Sequence, residues 1–281
     1  MPRFLVVGHL VEDVAPGGFR LGGTAAYAGL LAHRLGWETF VLTAAASEPP
    51  ELEGVHLLRL PSILSTRIHN IYEGAHRRQV VLARAPSLGP EHVPPDLTAC
   101  DAALLGPVAG EVAPETAALF RGGLLGLCAQ GWLREVAPDG SVRPRSPSCW
   151  PAEAALEHAW ALFVSDEDLP AAEALAALEG WSRRVPVVAF TRGERGADIC
   201  YRGRWRHIDA FPAAAVDPTG AGDVFAAAFL IAVHEGADPW QAARFASAAA
   251  SLTVEGEGVA GVPDRQRVEE RLRAYPAIVC R

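Results

Sequence analysis

A short run in the last third of the chain combines residue types that can bind and transfer a phosphate. It reads Asp217-Pro218-Thr219-Gly220-Ala221-Gly222-Asp223 and leads into an apolar run over 224–230. Glycines at a helix start let an anion reach free backbone N–H groups at the positive end of the helix dipole. Asp223, where the turn becomes helix, is placed to act as a general base for a hydroxyl that attacks a γ-phosphate. The alternative interpretation is that Asp223 only caps the helix.

The cations of the chain restrict the phosphate chemistry that it can perform. All 25 Lys+Arg residues are arginine. This excludes a Walker lysine, a protein-kinase strand lysine and a Schiff-base lysine. A phosphoryl-transfer enzyme of this composition must neutralise phosphates with backbone amides, arginine and metal.

Composition and length predict a soluble globular chain. The 281 residues suit one large domain, and no apolar run approaches the length that spans a bilayer. The chain leads directly into Phe4-Leu5-Val6-Val7-Gly8, too short for a signal peptide, so we expect a cytoplasmic location. The net charge of −8 argues against a nucleic-acid partner, and Arg202, Arg204 and Arg206 alternate as on the solvent side of a strand. The five scattered cysteines indicate neither disulfides nor zinc.

Apolar runs alternate with Ala/Leu-rich helical runs, which predicts a mostly parallel sheet covered on both faces. The predicted strands are Phe4–Gly8, Phe40–Ala44, Ala102–Leu105, Leu124–Cys128, Leu162–Ser165 and Val187–Phe190. The predicted helices are Thr24–Leu35, Pro114–Phe120, Ala152–Trp160, Pro170–Leu178, Asp223–Glu235, Pro239–Leu252 and Asp264–Ala274. In such folds ligands bind beyond the carboxyl ends of the strands, where the polar motifs fall.

Two further segments indicate a ligand site and a cover for it. Asp13 follows the first predicted strand, and Gly22 and Gly23 open the next helix, so a polar ligand can reach both the carboxylate and the backbone. For the glycines alone, an ordinary loop-to-helix turn is the alternative. Between Ser65 and Ala85, two strand-like runs around Glu73-Gly74-Ala75-His76 predict a β-hairpin that projects from the α/β body.

These motifs, taken in chain order, resemble those of the ribokinase-like (PfkB) carbohydrate kinases. The resemblance implies a three-layer α/β/α sandwich with a mostly parallel central sheet. It makes 1–281 a single kinase domain with a small β lid from about 14–21 and 65–85. In that family the residue that corresponds to Asp223 is the catalytic base, and the backbone of Gly220, Ala221 and Gly222 forms the anion hole.

The resemblance also implies the other site residues. Asp13, Gly22 and Gly23 bind the acceptor, with Tyr27 at a position where the family has Asn. The implied nucleotide-binding residues are Thr191, Gly193, Gly196, Asp217, Thr219 and Gly258, with ATP and Mg²⁺ as cofactors. Glu167 matches a glutamate that helps hold Mg²⁺ through water, although Val164 replaces the accompanying Asn. Ser165-x-x-Asp168 is an alternative register, and an acidic first helical turn is the alternative interpretation of the whole segment.

The function implied is ATP-dependent phosphorylation of a hydroxyl of a small sugar or cyclitol. The segments 8–13, 130–134 and 164–167 look most like the myo-inositol kinase branch. A nucleoside kinase of the same fold and a non-catalytic sugar- or nucleotide-binding regulator are the alternatives. Relatives pair their lids into dimers, but a homodimer, the acceptor and any monovalent cation are left open by the sequence.

Overall fold

The computed structural model describes residues 1–73 and 76–281. The strands are β1 (Arg3–Val7), β2 (Val11–Ala15), β3 (Gly18–Gly22), β4 (Glu38–Ala45), β5 (His56–Pro61), β6 (Thr66–Glu73), β7 (His76–Ala83), β8 (Ala102–Leu105), β9 (Leu124–Cys128), β10 (Arg134–Val136), β11 (Val142–Pro144), β12 (Ala161–Ser165), β13 (Val187–Thr191), β14 (Ala197–Tyr201) and β15 (Arg204–Ile208). The α-helices are α1 (Thr24–Arg34), α2 (Ala171–Ser182), α3 (Ala221–His234), α4 (Pro239–Thr253) and α5 (Arg265–Ala274).

A nine-stranded sheet forms the centre of the molecule, in the order β15-β14-β13-β12-β9-β8-β1-β4-β5. The seven strands from β13 to β5 run parallel, and β14 and β15 extend the sheet as antiparallel strands. Because the seven parallel strands end at one edge, every loop that follows them faces the same side of the molecule. The predicted mostly parallel sheet is therefore present.

Helices cover both faces of this sheet because its parallel strands are apolar on both sides. Phe4 and Val6 of β1 face the layer of α1, α3 and α4, whereas Leu5 and Val7 face the layer of α2 and several short 3₁₀ helices. Residues 224–232 of α3 are all buried. A helix that is apolar all round fits this position between the sheet and the neighbouring helices α1 and α4.

Two predicted helices are wrong in type. Pro114–Leu119 and Glu153–Glu157 form 3₁₀ helices rather than α-helices. Segments of five or six residues are too short to nucleate a stable α-helix, and these instead press small side chains such as Ala117 and Ala155 onto the sheet.

The antiparallel edge of the central sheet contains a second correction. Arg204 and Arg206 lie exposed on β15, as their alternation indicates. Arg202, however, lies outside that strand, in the turn between β14 and β15, with a φ of 49°. The short connection forces its backbone into the left-handed region.

A separate four-stranded sheet, here called the small sheet, has the order β3-β2-β6-β7. It contains both predicted lid segments, 14–21 and 65–85, although its first hairpin begins earlier, at Val11. Residues 74 and 75, in the predicted connection of the second hairpin, lie outside the described residues. In the register of β2 and β3, Asp13 pairs with Arg20, so both side chains lie on one face of the small sheet.

Buried hydrogen bonds join the base of the small sheet to the central sheet. The Thr66 hydroxyl lies 2.7 Å from Nδ1 of His9 and accepts a bond from the Ala85 N–H at 3.0 Å. The other ring nitrogen of His9 donates to the carbonyl of Pro86, because a carbonyl can only accept. Glu111, also fully buried, accepts the N–H of His9.

Among the described residues, no helix combines the length and the apolar character that crossing a membrane requires.

Replacement of Thr66 by valine tests the hydrogen bonds at the base of the small sheet. Thr66→Val keeps the shape but removes the hydroxyl that serves both His9 and the Ala85 N–H, so we expect a loss of about 1–3 kcal/mol in unfolding free energy. Urea denaturation measures the change. Thr98→Val, which removes an exposed hydroxyl bonded to the Pro95 carbonyl, is the matched control and should change stability by less than about 0.5 kcal/mol. Equal stability changes in the two variants would contradict this role of Thr66.

Candidate active site

Two helices begin next to each other at the carboxyl edge of the central sheet. Helix α1 begins after Gly23, which has a φ of 87°, and α3 begins after Gly220, which has a φ of 80°. Both glycines adopt left-handed backbone that other residues enter at a cost. The first turns of both helices present backbone N–H groups that have no partner within the helix. The edge therefore has the electrostatic character of an anion site.

Asp223 connects the two helix starts. Its carboxylate accepts a hydrogen bond of 2.7 Å from the hydroxyl of Thr24, which is fully buried. Thr24 in turn packs against Gly106 after β8, where an added Cβ would lie 2.2 Å from the Thr24 methyl group. Asp223 is the third residue of α3 and not its N-cap residue. The interpretation of Asp223 as only a helix cap therefore does not describe its geometry.

The loop before α3 is arranged by Asp217. Its carboxylate accepts the N–H of Thr219 and the N–H of Gly258, both at 3.0 Å. Burial by itself would raise the pKa of Asp217, but the hydroxyl and N–H of Thr219, the N–H of Gly258 and the charge of Arg20 outweigh it. The pKa therefore lies below its ordinary value, and Asp217 is ionised at neutral pH. Three predicted nucleotide-binding residues, Asp217, Thr219 and Gly258, thus form one connected group.

The backbone N–H groups of the predicted anion hole are not all equally accessible to an anion. The Ala221 N–H makes a long bond of 3.4 Å to the Pro218 carbonyl, which closes the turn. Gly222 is exposed, and an added Cβ there would meet no atom within 4 Å. The open approach is therefore over Gly222 and the first turn of α3.

Tyr27 lies at the centre of the candidate site. Its ring packs against Gly220, where an added Cβ would lie 2.2 Å from a ring carbon, and the residue is only 1% exposed. The pKa of Tyr27 is raised by burial and then by the negative charges of Asp217, Asp13 and Asp223, with Arg20 acting in the opposite direction. Tyr27 is therefore a neutral phenol that these four charged side chains surround.

The predicted acceptor residues lie together beside α1. An added Cβ on Gly22 would lie 2.0 Å from a carboxylate oxygen of Asp13, so only glycine permits this approach. The side-chain amide of Asn70 donates to Asp13 at 3.1 Å, and Gln79 donates to Asn70 at 2.7 Å. The small sheet therefore orients Asp13, on the face that also carries Arg20.

The predicted nucleotide loop is a turn between two antiparallel strands. Thr191 ends β13, and Gly193 and Gly196 have φ values of 55° and 81° before β14 begins. Arg192 and Arg195 in this loop pair with Asp198 and Asp166. The loop thus has the conformation of a turn between antiparallel strands. The loop stands at the same sheet edge as Asp223.

The acidic segment after β12 divides into exposed and buried carboxylates. Glu167, the predicted metal-binding residue, is exposed, and its N–H donates to the Ser165 hydroxyl. Asp168 is 5% exposed, accepts the Ser165 N–H at 3.0 Å and lies 3.9 Å from Arg134. Within 1–73 and 76–281, no group of three or more His, Cys, Asp or Glu side chains could hold a metal ion.

Cys128 ends β9 and is buried. Its pKa is raised by burial first, and then by the negative charges of Asp223 and Asp168. Asp168, the alternative register of the metal-binding prediction, follows β12 and so belongs to the same carboxyl edge of the sheet as Asp223.

Sequence reasoning missed three residues of this arrangement. Thr24 holds Asp223, Asn70 holds Asp13, and Arg20 reaches Asp217. Thr24 begins a predicted helix and Asn70 lies within the predicted hairpin, but no motif assigns either residue a role. Nothing local to Arg20 marks it, because its partner is 197 residues away in the chain.

Known proteins with similar sequences are sugar, nucleoside and inositol kinases. Residues 133–265 match the model of the pfkB family carbohydrate kinases. A nucleoside kinase of Methanothermobacter thermautotrophicus is 46% identical over 89 residues, which are 31% of this chain and 28% of that protein. An inositol 3-kinase of Zea mays is 32% identical over 158 residues, 54% of this chain and 39% of that protein. The matches thus span between about a quarter and two fifths of these relatives.

Solved structures extend the similarity of fold to almost the whole chain. A pyrophosphate-dependent myo-inositol-1 kinase, converted into a myo-inositol-3 kinase by mutation, is 21% identical with a TM-score of 0.78 over 96% of this chain and 98% of that chain. Arabidopsis thaliana ribokinase in complex with ribose and ATP is 19% identical with a TM-score of 0.73 over 97% and 99%. The predicted fold and the resemblance indicated by the motifs are confirmed. Residues 133–265 thus carry the pfkB carbohydrate kinase pattern, and almost the whole chain has a fold similar to that of these kinase structures.

Two neighbouring glycines provide a matched test of the packing around Tyr27. Gly220→Ala places a Cβ against the Tyr27 ring on left-handed backbone, so we expect a loss of about 1–3 kcal/mol in unfolding free energy. Gly222→Ala adds a Cβ in open space in the first turn of α3 and should be neutral or stabilise by up to about 1 kcal/mol. Denaturant titration of both variants measures the difference. Equal effects would show that Gly220 does not need its conformation or its contact.

Proposed function

We propose that the protein is an ATP-dependent phosphotransferase that phosphorylates a hydroxyl of a small sugar or cyclitol. The single observation that carries this proposal is the placement of Asp223. Its carboxylate lies in the first turn of α3, beside left-handed Gly220, and is held by Thr24 from the start of a second helix. A potential base thus stands next to N–H donors that suit a phosphate. The matches to kinases support the proposal.

The proposed reaction uses the two sides of the site for two ligands. The acceptor lies against Asp13, Gly22 and Gly23, where a carboxylate that accepts only can bind hydroxyl groups. Asp223 takes the proton of the attacking hydroxyl, while the N–H groups at the start of α3 stabilise negative charge on the transferred phosphoryl group. The phosphates of ATP extend over Thr219 and Gly258 towards the loop of Thr191, Gly193 and Gly196.

Magnesium fits the carboxylates of this edge. Mg²⁺ prefers oxygen ligands and needs few from the protein when it is bound by ATP phosphates, whose charge it neutralises. Glu167 stays the predicted residue for this role, acting through water, because its exposed carboxylate sits at the same sheet edge. The buried Asp168 is the alternative.

The small sheet acts as a lid in this proposal, on a kinase domain that spans 1–281. Hydrolysis of ATP competes with transfer to the acceptor, so a cover that excludes water favours transfer. Asp13, which Asn70 holds, belongs to the small sheet itself, and Arg20 of the same sheet contacts Asp217 on the donor side, so the small sheet reaches both proposed ligand sides. Pairing of two such lids in a homodimer and a cytoplasmic location stay predictions.

The burial of Tyr27 and the match to an inositol kinase favour a polyol over a nucleoside as the acceptor. A nucleoside site commonly offers an aromatic face to the base, but Tyr27 is buried with its ring against Gly220. Of the two curated relatives described above, the inositol 3-kinase of Zea mays matches the longer part of this chain. We therefore place cyclitols, with myo-inositol first, ahead of pentoses and nucleosides.

A phosphorylation panel tests the proposal. Purified protein is incubated with Mg²⁺ and either ATP or pyrophosphate, and with myo-inositol, other cyclitols, pentoses, hexoses or nucleosides in turn. We expect acceptor-dependent formation of ADP and of a phosphorylated polyol, measured by coupled assay and mass spectrometry. Pyrophosphate is included because a structure of similar fold is a pyrophosphate-dependent kinase. Binding of a polyol without turnover with either donor would instead support the non-catalytic regulator.

Asp223→Asn tests the proposed role of Asp223 as the general base. The amide cannot accept the proton, so we expect kcat to fall by about 10²–10⁴-fold with little change in the Kd for ATP. Stopped assays and calorimetry measure the two quantities. Asp96→Asn, in an exposed 3₁₀ turn, removes the same charge and should leave both unchanged. A wild-type kcat in Asp223→Asn would refute the assignment.

A further inference from the structure

A long side-chain cation that assists Mg²⁺ at the phosphate-binding edge has to be arginine. The chain has 25 Lys+Arg residues and none is lysine. Three carboxylates, Asp13, Asp217 and Asp223, surround Tyr27 beside the proposed phosphate position. A polyphosphate that enters such a site meets like charge unless a cation stands near it. The position of each arginine at this edge therefore has chemical consequences.

Arg20 extends from the small sheet to the loops of the donor side. Its guanidinium lies 3.2 Å from the Asp217 carboxylate and 3.3 Å from the Glu257 carboxylate. Its aliphatic part lies over Gly258, where an added Cβ would be 2.6 Å from Cδ of Arg20. Gly258 has a φ of 54°, and its N–H donates to Asp217. Arg20 thus crosses the mouth of the candidate site from one side to the other.

Other arginines at this end of the molecule are held differently. Arg67, in the same small sheet, pairs with Glu12 at 2.6 Å and lies over the ring of Phe19 at 3.9 Å. Glu12 neighbours Asp13 along β2, so this pair is on the opposite face of the small sheet from Arg20. Arg192 and Arg195, in the β13–β14 turn, pair with Asp198 of β14 and with Asp166 after β12.

We propose that Arg20 is a catalytic residue of the lid, whose guanidinium contacts the phosphoryl group during its transfer from ATP. This inference rests on the phosphotransferase function proposed above. A bond forms between the acceptor oxygen and the terminal phosphorus, and the bond from that phosphorus to the bridging oxygen breaks. The electron pair leaves with ADP, and the acceptor proton moves to Asp223. Arg20 keeps its protons and stabilises the charge on the phosphoryl oxygens.

The contacts of Arg20 with Asp217 and Glu257 are weak enough for its guanidinium to leave a carboxylate and bind a phosphate oxygen. Charge-assisted N–H···O bonds are commonly about 2.7–2.9 Å long, so 3.2 and 3.3 Å are long for a guanidinium with two carboxylates. The Arg20 side chain is 38% exposed, which weakens both ion pairs further. Asp217 keeps the N–H groups of Thr219 and Gly258 when Arg20 turns away. The forked guanidinium can also keep Asp217 with one nitrogen while the other leaves Glu257 for a phosphate oxygen.

A catalytic Arg20 differs measurably from a structural latch. Arg20→Ala should lower kcat about 10²-fold or more, as loss of one transition-state donor does, with a smaller change in the Kd for ATP. Millimolar guanidinium chloride should restore part of the lost kcat, because the free cation can occupy the emptied space. Arg20→Lys should have a lower kcat than the wild-type protein, since lysine lacks the planar fork of the guanidinium.

Arg67→Ala is the matched control, because Arg67 lies in the same small sheet and has the same 38% exposure. It should retain kcat and show no response to guanidinium. Melting temperatures of all variants are compared, and Arg20→Met, which keeps the apolar stem over Gly258, replaces the alanine variant if that one unfolds.

Two results overturn the proposal. One is a wild-type kcat in Arg20→Ala or Arg20→Met while Asp223→Asn is inactive. The other is a loss of activity that appears only as weaker ATP binding and does not respond to guanidinium, which would make Arg20 a positioning latch. Failure of the phosphotransferase function itself is distinguishable, because the wild-type protein would then show no acceptor-dependent turnover in the panel.

Discussion

The hydrogen bond between Thr24 and Asp223 is the interaction on which the candidate site depends. It joins the first turns of α1 and α3, and the two residues that form it are 199 residues apart in the chain. It fixes the Asp223 carboxylate to the start of α1, in addition to the packing of α1 against α3. Thr24 can approach so closely because Gly106 after β8 has no side chain. The parallel sheet thus supplies the position, and two glycine-led helix starts supply the electrostatics.

Charge balance accounts for much of the remaining arrangement. Three carboxylates at one site would repel each other and any phosphate, yet Asp217 is ionised because N–H groups and Arg20 compensate its burial. Tyr27 stays neutral, because burial and the negative charges of Asp217, Asp13 and Asp223 raise the pKa of its phenol. A chain without lysine then relies on backbone donors and arginine for anions. The small sheet contributes to both sides, through Asn70 to the acceptor carboxylate and through Arg20 to the donor loops.

Local signals predicted the central elements of the fold and the site. Short apolar runs located the buried parallel strands to within two residues, and the glycines before α1 and α3 located both helix starts. The sequence did not reveal β5, β10, β11 and β14, because these strands lie near edges or carry mixed polarity. The helices predicted at 114–120 and 152–160 failed because length and tertiary packing, rather than alanine content, decide their type.

Sequence patterns could not identify the hydrogen-bond and ion-pair partners of the site residues. Thr24 and Asp223, Asn70 and Asp13, and Arg20 and Asp217 are 199, 57 and 197 residues apart. Only the path of the chain brings these pairs together. Motif spacing could identify Asp223 and Gly220 because they are neighbours in sequence, but it could not show which hydroxyl holds the carboxylate. The metal-binding prediction has the same limit, since burial and not spacing distinguishes Asp168 from Glu167.

The central claim is that the Asp223 carboxylate and the N–H groups at the start of α3 face one cavity where acceptor and donor meet. A crystal structure of the protein with its best acceptor and a non-hydrolysable ATP analogue measures this most directly. The account predicts the reacting hydroxyl within about 2.6–3.2 Å of an Asp223 oxygen and the terminal phosphate over the first turn of α3. An acceptor bound away from Asp223, or a terminal phosphate outside the reach of that turn, would contradict it.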